Sequence, residues 1–137
     1  MATVRREAVI DASPDAVWDA VRDWGALHER LVPGFATDAR VEGRTRIVTF
    51  FTGMVLEERI VTVDDAERRL AWSIVNGPYE HHNGVAQVLA EEDGRARFVW
   101  TADLLPDEAE ERTGEMMERG TQVAKETLEA STATPPR

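Results

Sequence analysis

From residue 36 to residue 105 the sequence alternates between apolar and polar side chains, interrupted only by short clusters of glycine, proline and acidic residues. Successive side chains on a strand point to opposite faces, so a period of two over this length demands strands, and the short connections make neighbours antiparallel. Thr37, Ala39 and Val41 alternate with Asp38, Arg40 and Glu42, and beyond Gly43 the residues Thr45, Ile47, Thr49 and Phe51 oppose Arg44 and Arg46. Gly53 separates this predicted hairpin from a strand at 55–63, residues 64–68 turn the chain, and 70–76 form a further strand ahead of Gly77-Pro78. The last pair, 82–91 and 95–104, is joined by Glu92-Asp93-Gly94, whose Asp-Gly step suits a tight hairpin.

Helical signals flank the alternating block. Residues 3–10 read as a first strand, after which Ser13 is placed to cap a helix, Pro14 suits its first position and Asp15 its positive end. Val17, Val21, Trp24 and Leu31 recur at helical spacing, but Gly25 interrupts them, so two short helices are predicted to meet near Trp24-Gly25. A long final helix is predicted over 106–130, headed by acidic residues, with a thin stripe that includes Thr113, Met116, Met117, Gly120, Ala124 and Leu128. Residues 131–137 read as a frayed tail. An α+β fold follows, in which a curved sheet of about seven strands wraps the final helix so that the inner face and the stripe bury each other. The length of 137 residues fits one domain, taken as 1–130.

Composition removes several function classes. Sixteen basic residues against 26 acidic ones, a net charge of −10, argue against a general nucleic-acid binder, which needs clustered Lys and Arg. No apolar stretch approaches the roughly 20 residues of a membrane helix, and Arg5-Arg6 is followed by no apolar signal region, so a soluble chain without a membrane span is expected. The absence of cysteine agrees with a cytoplasmic location. Three histidines without cysteine make a metal site improbable, because His81 and His82 on one strand face opposite ways. Neither a glycine-rich phosphate loop nor a serine elbow is present, and no cofactor is expected.

Several loose motifs stand in a telling order: Ile10-Asp11-Ala12-Ser13-Pro14-Asp15-Ala16-Val17-Trp18, the Asp23-Trp24-Gly25 step, Glu58-Arg59-Ile60-Val61-Thr62-Val63-Asp64-Asp65, and Val99-Trp100 followed by Pro106. Together they resemble the START-like (SRPBCC) superfamily in its polyketide cyclase/dehydrase branch, over about residues 3–130. The resemblance implies a helix-grip fold with a deep cavity between sheet and long helix. It implies less about activity, since similar proteins include lipid and hormone carriers as well as aromatic polyketide cyclases. No short catalytic string of the family is matched, so no catalytic residue is carried over.

Candidate site residues come from strand parity instead. Taking the face opposite most Arg and Glu residues as inward gives Ile47, Thr49 and Phe51; Leu56, Glu58 and Ile60; Leu70, Trp72 and Ile74; His82, Ala86 and Val88; Phe98, Trp100 and Ala102. Two polar residues fall on that face. A buried Glu58 would be costly unless paired, and would serve as acid, base or ligand anchor; the alternatives are a register shift that turns it outward or an Arg that satisfies it structurally. His82 would supply proton transfer or bind a polar ligand group, or else face solvent at the rim. Phe51, Trp72, Trp100, the loop residue Tyr79, and Met116, Met117 and Gly120 of the helix complete the candidate ligand wall, although tryptophan and methionine at such positions also serve as core. Trp24 reads as structural and Trp18 as partly exposed.

The expected function is binding of a small hydrophobic or aromatic molecule, polyketide- or lipid-like, by a monomer or homodimer. The alternative is a cyclase or dehydratase working by acid-base catalysis in the same cavity. An interaction domain with a vestigial cavity stands behind both.

Overall fold

The computed structural model describes residues 1–132. Strand β1 (Ala2–Ile10) leads to helix α1 (Pro14–Arg22), whose first turn is capped as the sequence requires: Ser13 Oγ accepts the Ala16 N–H at 3.1 Å. At Trp24-Gly25 the helical spacing breaks, and the chain continues as a 3-10 turn (Trp24–Ala26) and a single π-helical turn (Leu27–Leu31). Six strands follow: β2 (Ala36–Glu42), β3 (Thr45–Phe50), β4 (Val55–Asp64), β5 (Arg69–Ile74), β6 (His81–Ala90) and β7 (Ala96–Leu105). A 3-10 turn (Asp107–Ala109) then opens helix α2 (Glu110–Thr132). Of the tail expected at 131–137, Ser131 continues the helix and residues 133–137 lie outside the described residues.

The seven strands form one antiparallel sheet in the order β1-β7-β6-β5-β4-β3-β2. Consecutive strands are neighbours except for β1, which returns beside β7 because the two short helices carry the chain across to the far edge. Register shifts between Ala36 and Asp38 and between Ile60 and Thr62 bend the sheet, and such bulges curl a strand towards the layer it covers. That layer is α2, packed on β1, β7 and the Leu27–Leu31 turn. Thr113, Met117, Gly120, Thr121, Ala124 and Leu128, spaced at three and four residues, are its buried stripe. Two groups of buried side chains result, a large one under α1 and the strand centres and a smaller one of Ala2, Val4, Ala102, Leu104, Ala109 and Met117; Tyr79 and Trp100 touch both.

Strand β3 corrects the parity reading. Its buried residues are Arg46, Val48 and Phe50, while Ile47 and Thr49 are only half-buried and Phe51, just past the strand, is 39% exposed. Phe51 therefore does not line the interior; it packs on the outer side of Phe35 with the Arg119 guanidinium 4.1 Å from its ring. Cross-strand partners share a face, and Arg46 is the partner of inward Glu58, so the register forces the arginine inward. Trp18, expected to be partly exposed, is buried, with its indole N–H donating to Asp65 Oδ1 at 2.9 Å.

Candidate functional site

Between sheet and α2 lie two small cavities, of about 60 Å³ and about 50 Å³. Phe35, Phe50, Glu58, Trp72 and Trp100 belong to the walls of both. The first reaches towards Leu27, Leu31 and Gly120, the second towards Met54, Tyr79, His82, Thr113, Met116 and Met117. Glu58, His82, Trp72, Tyr79, Trp100, Met116, Met117 and Gly120 thus border one chamber or both, whereas Phe51 and, of the parity set, Ile47, Thr49, Ile60, Val88 and Ala102 border neither. Phe35, Phe50, Arg46 and Thr113 were not among the candidates. Arg46 had a signal in the hairpin register, and Thr113 one in the helix stripe.

Two glycines make room for the aromatic wall. A Cβ on Gly84 of β6 would stand 2.6–2.9 Å from three atoms of the Trp72 indole, and one on Gly120 would stand 2.9 Å from the Trp100 ring and 3.1 Å from Phe35. Trp72 lies between the other two indoles, 6.4 Å from Trp24 and 6.5 Å from Trp100 between ring centroids, in tilted arrangements. The Nε1 atoms of Trp24, Trp72 and Trp100 are buried and have no hydrogen-bond partner among the described residues. A buried N–H left unpaired costs about 1–3 kcal/mol, so these donors are a held reserve of polar capacity in an otherwise apolar wall.

The polar centre of the wall is an ion pair. Glu58, 5% exposed, receives Arg46 Nε at 3.1 Å and Nη2 at 2.5 Å, both on Oε1. Arg46, 4% exposed, is held on its other sides as well: Nη1 donates to the Trp24 carbonyl at 3.1 Å and the guanidinium carbon sits 3.6 Å from the Trp24 ring centroid. Burial pulls the guanidinium below its ordinary value, and Glu58 opposes that pull. The carboxylate thus has the structural arginine partner that the sequence left open as an alternative.

His82 is buried rather than at a solvent-facing rim. Its ring meets Tyr79 edge-on at 4.7 Å, and Tyr79 Oη pairs with Thr113 Oγ1 of α2 at 2.8 Å. Burial pushes the imidazole from its ordinary 6.5 down to about 4, so it is neutral at pH 7 and a weak base there. Its Nδ1 has no partner among the described residues. Among those residues, no group of three or more His, Asp or Glu side chains is gathered closely enough to hold a metal ion, and no helix is long and apolar enough to cross a membrane.

Comparison with known proteins agrees with this architecture. The family described as polyketide cyclase / dehydrase and lipid transport matches residues 1–130. Comparison with the curated proteins finds no match. Among solved structures, protein XoxI of Bacillus cereus has a TM-score of 0.84 at 22% identity, covering 97% of this chain and 100% of that one. A Thermobifida fusca protein solved by NMR is 26% identical, with a TM-score of 0.74 and coverage of 95% and 91%. A START superfamily protein from Mycobacterium smegmatis is 13% identical, with a TM-score of 0.79 and coverage of 95% and 99%. These likenesses carry the fold, a START-like helix grip. With the match extending over residues 1–130, this chain belongs to the polyketide cyclase / dehydrase and lipid transport family.

Proposed function

We propose that the protein binds a small, largely apolar molecule, aromatic or lipid-like, between the sheet and α2, and carries it without transforming it. The observation behind this reading is the lining of the two chambers, where Trp72 and Trp100 stand with Phe35 and Phe50 in both and with Leu70 and Phe98 in the first, and where the charged side chains are the paired Arg46 and Glu58. Such a surface takes an apolar ring through shape and area rather than through charge. Chambers of about 60 and about 50 Å³ hold only a few waters each, well below the roughly 300–1,000 Å³ of drug-sized sites. Binding therefore requires wall residues to shift. Met54, Met116 and Met117, unbranched and adaptable, line the second chamber where that movement costs least.

Carriage is favoured over catalysis because the two candidate acid-base groups are poorly poised. His82 titrates near 4, and Glu58 is engaged by Arg46. The cyclase or dehydratase reading keeps one supporting observation: Glu58, His82 and the Tyr79–Thr113 hydroxyl pair border the same chamber. Native mass spectrometry of freshly purified protein distinguishes these readings. A carrier should show a small added mass that leaves on denaturation. A bare chain, both as purified and after exposure to a cell lipid extract, would count against binding, and conversion of the added molecule to a product of different mass would favour the enzyme.

A further inference from the structure

Glu58 carries more acceptor capacity than Arg46 uses. An ionised carboxylate offers about four lone-pair sites on two oxygens. Both arginine bonds end on Oε1, and Oε2 takes no hydrogen bond from any described residue, although the side chain is 95% buried by its 5% exposure and borders both chambers. Arg46 cannot readily turn to serve it, because the Trp24 carbonyl and ring fix the guanidinium from the other side. The buried N–H groups of Trp72 and Trp100, residues that line the same two chambers, are also unpaired. The wall therefore holds one anionic acceptor and at least two neutral donors unmatched.

We infer that Glu58 Oε2 anchors the ligand and that the ligand is an uncharged molecule bearing a hydroxyl group, a phenol or an alcohol, in preference to a carboxylate such as a fatty acid. The inference rests on the binding reading above and specifies its ligand. A hydroxyl donates to Oε2 through a charge-assisted bond and keeps acceptor capacity on its oxygen for a neutral donor, so it matches the chemistry of both kinds of unmatched group. A ketone can only accept. A ligand carboxylate would set a second anion against Glu58 with one arginine between them, and a protonated amine would bring an uncompensated charge into a chamber whose own pair is already neutral.

The test uses three probes of one shape, 2-naphthol, naphthalene and 2-naphthoate, titrated into the intact protein at pH 7 and followed by the indole N–H resonances of its four tryptophans. 2-Naphthol should bind tighter than naphthalene by roughly tenfold or more, the worth of a hydrogen bond to a charged acceptor, and 2-naphthoate weakest of the three. In the doubly apolar variant Arg46→Met/Glu58→Leu, which leaves no charge stranded, 2-naphthol and naphthalene should bind about equally. The wild-type ranking decides the matter even if that variant fails to fold. Naphthalene binding as tightly as 2-naphthol, 2-naphthoate binding tightest, or a 2-naphthol preference that survives in the double variant would overturn the anchoring role while leaving the binding reading intact. Failure of all three probes to bind the wild type would overturn both.

Discussion

At the scale of single residues, the site depends on what glycine leaves out. A methyl group at position 84 would fall 2.6 Å from Cε2 and 2.7 Å from Cζ2 of Trp72, and that ring, fixed among Trp24, Trp100 and the strand centres, has no flexible end to withdraw. Gly84→Ala should destabilise the fold by about 1–3 kcal/mol despite the better strand propensity of alanine, measured by urea denaturation, and should shift Trp72 fluorescence. An unchanged midpoint would mean that the ring does not sit over Gly84. His82 gives a second outcome, with a definite sign. Its folded value of about 4 lies below the ordinary 6.5 because burial disfavours the cation, so between those pH values the unfolded chain takes a proton that the folded chain refuses. Stability should fall as pH drops from about 6.5 towards 4, by up to about 3 kcal/mol from this group. Urea midpoints at pH 7 and pH 5 should therefore diverge more in wild type than in His82→Gln; equal divergence would place His82 in a more polar setting. Glu58 was readable in the sequence because it is an acid between Leu56 and Ile60 on one strand face. The state of His82 was not, since nothing local says that Tyr79 and α2 close over it.

At the scale of elements, the alternation from 36 to 105 was strong enough to give all six strands of that block and their antiparallel order, because short turns leave few other ways to pair them. The inward face of β3 was misread for a physical reason. Charge does not mark the outside on this strand: Arg46 is buried as the counterion of Glu58, and the half-buried Ile47 and Thr49 turn away. The hairpin register contained the correction: with Arg46 opposite Glu58 and Val48 opposite Leu56, the inward sets on β3 and β4 must agree. A lysine scan tests this face directly. Ile47→Lys should alter stability by no more than about 1 kcal/mol, whereas Val48→Lys, at a fully buried position, should cost at least about 4 kcal/mol or abolish folding. The reverse pattern would restore the sequence-based parity and remove Arg46 from the interior.

At the scale of the whole molecule, the helix-grip arrangement brings an aromatic wall, an adaptable methionine side and one ion pair around two small chambers. The resemblance implied a deep cavity, and the structure has two small chambers meeting at Phe35, Phe50, Glu58, Trp72 and Trp100. Cavity size is set by how side chains from distant elements meet, which strand parity does not encode. The central claim is that this interior opens to hold a small apolar molecule beside Trp72 and Trp100. The most direct measurement is a naphthalene titration followed by intrinsic tryptophan fluorescence in wild type, Trp72→Phe, Trp100→Phe and the double variant. Naphthalene should bind saturably at one site, with a response that is reduced in each single variant and largely lost in the double variant although Trp18 and Trp24 remain. A response that never saturates, or that persists undiminished without Trp72 and Trp100, would contradict the central claim and leave the interior as packed core.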